Sequence, residues 1–196
     1  NIALLGESGI GKTTIIKQLC EKLVGETGYL HCNIGREDGA SAIEGIVTED
    51  IQDWAKFSEV VDDIIENKTT DYPDLQVLIL DTLDELIPLA EKEAIRLHNK
   101  KNPEKKTDTI LSVAGGFGRG QDKAMDLILD AIWNLKNVGV HSIIISHVKR
   151  SDVVDPLTQE SYSKITADTQ QRYFNAIKNK MHFIGLAYID RNIVTE

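Results

Sequence analysis

The residues with the clearest chemistry lie at the start of the chain, in "LLGESGIGKTT" over positions 4–14. Gly6, four intervening residues, then Gly11-Lys12-Thr13 is the spacing of a phosphate-binding loop. Glycines let the backbone turn sharply, so that successive N–H groups face phosphate oxygens. Lys12 brings a point charge to the β- and γ-phosphates. The Thr13 hydroxyl suits Mg²⁺, and a helix starting near Lys12 adds its positive dipole end. The candidate ATP contacts are Gly6, Glu7, Ser8, Gly9, Ile10, Gly11, Lys12, Thr13 and Thr14.

Four further places carry chemistry. The apolar run "VLILD" ends in Asp81. Phosphate-loop NTPases place an acidic residue there to hold the Mg²⁺ water shell; the alternative is a helix cap, because Asp81-Thr82 precedes a helix. Thr82 stands where a second acidic residue would supply a water-activating base on the same strand. That role falls to Glu37 in "NIGREDGA", with Asp38 as its rival and an ordinary solvated turn as the bland alternative. His147 ends "SIIISH" at the ligand edge of the sheet, where it and Ser146 could sense a γ-phosphate; the alternative is a histidine bonded to nearby backbone. Lys149 and Arg150 follow, able to reach a phosphate in this subunit or a neighbour, or to face solvent.

The fourth place is "GGFGRGQDK", which sets Phe117, Arg119 and Lys123 among four glycines. An aromatic ring and cations on a flexible loop suit single-stranded nucleic acid, by stacking and phosphate contact. The alternative is a mobile surface loop with incidental charges.

These residues need elements to position them. "NIALL" reads as a buried strand before the cradle and "TTIIKQLCEKLV" as an amphipathic helix after it. "GYLHCN" reads as a second strand, "IVTEDI" is ambiguous, and "FSEVVDDIIENK" reads as a helix. "LQVLILD" is a continuous apolar run, as for a strand covered on both faces. "TLDELIPLAEKEAIRLHNK" reads as a helix with Pro88 early enough to kink it. A mobile basic loop "KKNPEKKTDT" and the glycine-rich loop come next, then a helix from "AMDLILDAIWNLKNVG" that Gly139 ends. "VHSIIISH" reads as a strand, and "SDVVDPLTQESYSKIT" as a loop or short hairpin. A helix "DTQQRYFNAIKNK" and a strand "HFIGLAYID" complete the pattern. Strands alternating with helices imply a parallel sheet wrapped by helices.

The 196 residues suffice for one α/β domain; 41% hydrophobic and 27% charged content are those of a globular protein. No apolar stretch is long enough to span a membrane. The first residue is Asn1, and both ends read as cut from a longer protein. Cys20 and Cys32 have no metal-like spacing, so a reducing cytoplasm and simple core packing are expected. The net charge of −9 argues against a general polyanion-binding surface but leaves room for a local basic site.

"GESGIGKTT", "LILDTLDEL", "GGFGRG" and "IIISHVK", in this order, resemble the RecA-like ATP-binding proteins of bacteriophages, including the Sak-type single-strand annealing and recombination ATPases. The resemblance spans nearly the whole chain. It implies an α/β, three-layer P-loop NTPase fold with a RecA-like, mostly parallel sheet, as one ATP-binding core over 1–196. It also implies an ATPase acting on single-stranded DNA in phage recombination or replication, a homo-oligomer, in the bacterial host cytoplasm. By position, Lys12 and Thr13 hold phosphate and Mg²⁺, Asp81 completes the metal site, and His147 is the sensor, where RecA-type proteins commonly have Gln. "GGFGRG" falls where those proteins keep a DNA-facing loop. The alternative is a nucleotide-gated adaptor, helicase-loader-like, with incidental hydrolysis; a small-molecule kinase is weaker, for want of an Arg-rich lid.

Overall fold

Apolar residues on consecutive positions of the middle strands decide the architecture. In a strand, neighbouring side chains face opposite sides, so a continuous apolar run must be covered on both. Leu78, Ile79 and Leu80 are all buried, as are Ile143, Ile144 and Ile145. In the computed structural model, which describes residues 1–35 and 45–190, both faces of these strands are covered by helices.

Among the described residues seven strands form the sheet: β1 (Ile2–Gly6), β2 (Tyr29–Ile34), β3 (Thr48–Ile51), β4 (Val77–Asp81), β5 (His141–Val154), β6 (Ser161–Ala167) and β7 (Phe183–Ala187). Their order is β3-β2-β4-β5-β1-β7, all parallel, with β6 added antiparallel to the outer part of β5. Helix α1 (Lys12–Val24) packs Ile16 and Cys20 on the face made by Tyr29, Ile79, Ile143 and Ile145. The other face meets α2 (Trp54–Glu66), α3 (Leu83–Lys101), α4 (Arg119–Asn137) and α5 (Gln171–Lys178) through a larger core that includes Phe57, Ile64, Leu86, Ile128 and Ile177. The result is the expected three-layer α/β arrangement.

Four local readings become definite. The ambiguous "IVTEDI" is edge strand β3, held by its register with β2. The basic loop after α3 is tethered at one point: the Asn99 side chain donates to Thr107 O and accepts from Thr107 N–H, both at 2.8 Å. α3 runs through Pro88 as one helix. The stretch after His147 is a hairpin in which β5 leaves the parallel sheet and pairs Val148↔Ala167 through Val154↔Ser161 with β6. Its exposed faces lack an apolar alternation, so periodicity alone left loop and hairpin both open.

Candidate nucleotide and metal site

The cradle begins where β1 stops, between β5 and β7. A Cβ on Gly6 would lie 3.1 Å from Ala187 O and 3.2 Å from Ile10 Cγ2, so a side chain there would press β7 and the loop outward by a few tenths of an ångström. Gly9 and Gly11 have φ of +73° and +91°, the left-handed region that other residues resist. Between them the chain turns outward, leaving Glu7, Ser8, Gly9, Gly11 and Thr14 exposed and Ile10 half-buried. Lys12, first residue of α1, is only 5% exposed. Its Nζ donates to Gly6 O at 3.0 Å and Glu7 O at 2.9 Å, so the ammonium lies across the loop that phosphates would fill.

Thr13 Oγ1 donates to Asp81 Oδ2 at 2.6 Å, joining residues 68 positions apart. β4 and β1 are not neighbours, because β5 runs between them; α1 brings Thr13 over to the end of β4. A hydroxyl and a carboxylate are hard oxygen donors. Among the described residues no group of three or more His, Cys, Asp or Glu is arranged to hold a metal by itself. The pair therefore fits a small cation that keeps its waters and takes further oxygens from phosphates, as Mg²⁺ does.

His147 joins the same edge by register: its Cα partner on β1 is Gly6. The sequence reading missed what holds it. Asp84, in the first turn of α3, accepts from His147 Nδ1 at 2.6 Å, from His147 N–H at 3.1 Å, and from the Ser146 hydroxyl. The available signal was a carboxylate in the first helical turn after the Asp81 strand, where a helix N-terminus favours it. His31, fully buried on β2, was missed as well; its Nε2 lies 3.1 Å from Asp81 Oδ2. Glu37 and Asp38 lie outside the described residues.

Two cations expected to reach a phosphate or a neighbour are held within this chain. Arg150 grips Glu7 Oε1 through Nε at 3.1 Å and Nη2 at 2.9 Å. Lys149 pairs with Asp168 at 3.3 Å.

The glycine-rich segment is shorter than its sequence suggested. Phe117 stands out from it, 96% exposed, with φ of +54°. Arg119, however, is the first residue of α4, and Lys123 lies one turn further on, paired with Asp126 at 2.9 Å. Neither sits on a flexible loop: Gly118, with φ of +79°, turns the chain directly into the helix. Arg172 lies over that turn, its guanidinium in a two-pronged contact with Asp122 at 2.7 and 2.8 Å. From there Gln170 accepts from Gln121 at 2.5 Å, and Asp168 N–H donates to His147 O at 2.8 Å. The start of α4 is thus tied to the point on β5, where it leaves the parallel sheet, that carries His147.

No described helix is long and apolar enough to cross a membrane. No curated protein matches the chain. Among solved structures, a KaiC-like protein from the hyperthermophilic archaeon Pyrococcus horikoshii OT3 aligns over 86% of this chain and 79% of its own, at 12% identity and a TM-score of 0.40. The sequence profile described as AAA domain matches residues 1–195. Nearly the whole chain falls under that profile, and its phosphate loop, Thr13–Asp81 oxygen pair and parallel sheet are those of a P-loop ATPase: the protein belongs to the AAA domain family.

Proposed function

We propose that this protein is a Mg²⁺-dependent ATPase that acts on single-stranded DNA in bacteriophage recombination or replication, as an ATP-dependent homo-oligomer in the host cytoplasm. The phosphate loop and Lys12 bind the triphosphate. Thr13 and Asp81 hold the Mg²⁺, which neutralises charge on the β- and γ-phosphates when bound. His147 senses the γ-phosphate, and Glu37 orients the attacking water.

The observation that carries the DNA part is the tie between the two ends of this edge. Phe117 offers an exposed ring one residue before the turn over which Arg172 lies, and the chain of contacts from that turn ends on His147. Base stacking on such a ring is worth about 1–3 kcal/mol per base. Arg119, exposed at the start of α4, adds a phosphate contact.

A specific observation favours the nucleotide-gated adaptor as second reading. Lys123 and Arg172 are already matched by Asp126 and Asp122, on a chain of net charge −9. ATP turnover with and without single-stranded DNA separates the two. Stimulation supports the enzyme reading; turnover that ignores DNA supports the adaptor. Anisotropy of a labelled oligonucleotide over a salt series, with ATP analogue present, locates the contact. Phe117→Ala is expected to weaken binding without changing the salt slope, and Arg119→Ala to weaken it and flatten the slope by about 0.7–0.9 of a log unit. If both variants match the parent, the segment is only a connection.

A further inference from the structure

His31 is a polar residue in an apolar place. It sits on β2, on the sheet face that Tyr29, Ile79, Ile143 and Ile145 fill with hydrocarbon, and none of its surface is exposed. An imidazole buried there costs free energy unless both nitrogens find partners, whereas a branched apolar side chain would pack without that cost. Both nitrogens do find partners. Nε2 lies 3.1 Å from Asp81 Oδ2 on one neighbouring strand, and Nδ1 lies 3.1 Å from Thr48 Oγ1 on the other. A carboxylate only accepts, so Nε2 donates to Asp81, while Nδ1 meets the Thr48 hydroxyl, which can serve either way.

Asp81 Oδ2 is therefore held from two sides, by the Thr13 hydroxyl at 2.6 Å and by His31. If Thr13 turns to a metal ion, it gives up its hydrogen bond to Asp81. His31 lies on β2, away from the loop, and its bond does not depend on that exchange. It then becomes the donor that keeps the carboxylate from rotating.

We propose that His31 is a positioning residue for the Mg²⁺ site: it orients Asp81 from behind and, through Thr48, couples that orientation to edge strand β3. The proposal rests on the Mg²⁺–ATP reading above. Groups that orient a metal ligand in this way typically change metal affinity about 10- to 100-fold when removed.

The test separates this role from mere packing. His31→Phe fills the space and removes both hydrogen bonds, and His31→Gln keeps a distal N–H donor. Binding of a fluorescent ATP analogue is followed in EDTA and then over a Mg²⁺ titration. His31→Phe is expected to raise the Mg²⁺ midpoint at least about 10-fold while its affinity in EDTA stays within about twofold of the parent. His31→Gln should recover most of the shift. An unmoved midpoint, or an affinity lost equally in EDTA and Mg²⁺, overturns the proposal. Should His31→Phe fail to fold, Thr48→Val removes only the Nδ1 contact at the sheet edge, and it should move the midpoint the same way by a smaller factor; an unmoved midpoint there overturns the proposal too. A parent protein whose nucleotide binding ignores Mg²⁺ overturns the metal reading itself.

Discussion

The Asp84 carboxylate holds His147 at two points, at the ring Nδ1 (2.6 Å) and at the backbone N–H (3.1 Å), although the two residues are 63 positions apart. The contact ties the first turn of α3 to the place where β5 passes from the parallel sheet into the hairpin. It also fixes which ring nitrogen carries the proton, a condition for any directed bond from the imidazole to a ligand.

Asp84→Asn keeps the size of the side chain but exchanges one acceptor oxygen for a donor. We expect it to retain ATP binding and to slow single-turnover hydrolysis by about 100-fold, the scale of losing one positioned donor that stabilises charge in the transition state. His147→Ala should do the same, and the double variant should be no slower than the worse single one, because both remove one unit. Glu37→Gln should also keep ATP binding and slow hydrolysis by about 100-fold, but in combination with Asp84→Asn the losses should multiply. Normal turnover in Glu37→Gln with an inactive Asp38→Asn would move the base to Asp38.

Lys12→Ala removes the ammonium that lies across the loop and bonds Gly6 O and Glu7 O. Hydrogen bonds to charged groups are worth about 1.5–3 kcal/mol each, so losing those to phosphate should cost at least about 10-fold in affinity and abolish tight ATP binding. Equilibrium binding of labelled ATP checks this, and unchanged affinity would reject the cradle.

Glu7 and Arg150 form a half-exposed ion pair at the mouth of the cradle. Incoming phosphates repel the carboxylate and attract the guanidinium. Glu7→Gln should therefore tighten ATP binding, by no more than about fivefold because exposed pairs are worth about 0–1 kcal/mol. The gain should shrink in Glu7→Gln/Arg150→Ala, where only the relief of carboxylate repulsion remains, and shrink in high salt. A tightening undiminished by the loss of Arg150 would assign the whole effect to removal of the Glu7 charge.

Burial pushes the Cys20 thiol up to about 11 and the Cys32 thiol up to about 12, with nearby Glu21 and Glu49 acting in the same direction. The thiolate, the reactive form, is thus suppressed at pH 8 in the folded protein. A thiol-reactive dye should label native protein slowly and label both cysteines promptly in denaturant. Rapid labelling of the native chain would contradict their place in the core.

The sequence by itself determined whatever depends on short-range rules. Glycines at 6, 9 and 11 with Lys12 and Thr13 specify a phosphate loop because its chemistry lies within eight consecutive residues. The apolar run into Asp81 specifies a strand covered on both faces, with a polar residue at its ligand edge. Only the tertiary structure decided who meets whom. β5 enters between β1 and β4, and that order sets His147 beside Gly6 and within reach of Asp84, while β2 carries His31 to Asp81 across 50 positions. It also showed Arg119 to be the start of a helix, with Gly118 as the left-handed residue before it. A lone histidine in an apolar strand reads locally as core, and a first-turn aspartate as a helix-end charge. Their roles come from strand order and crossover, which no local pattern of hydrophobicity or spacing encodes.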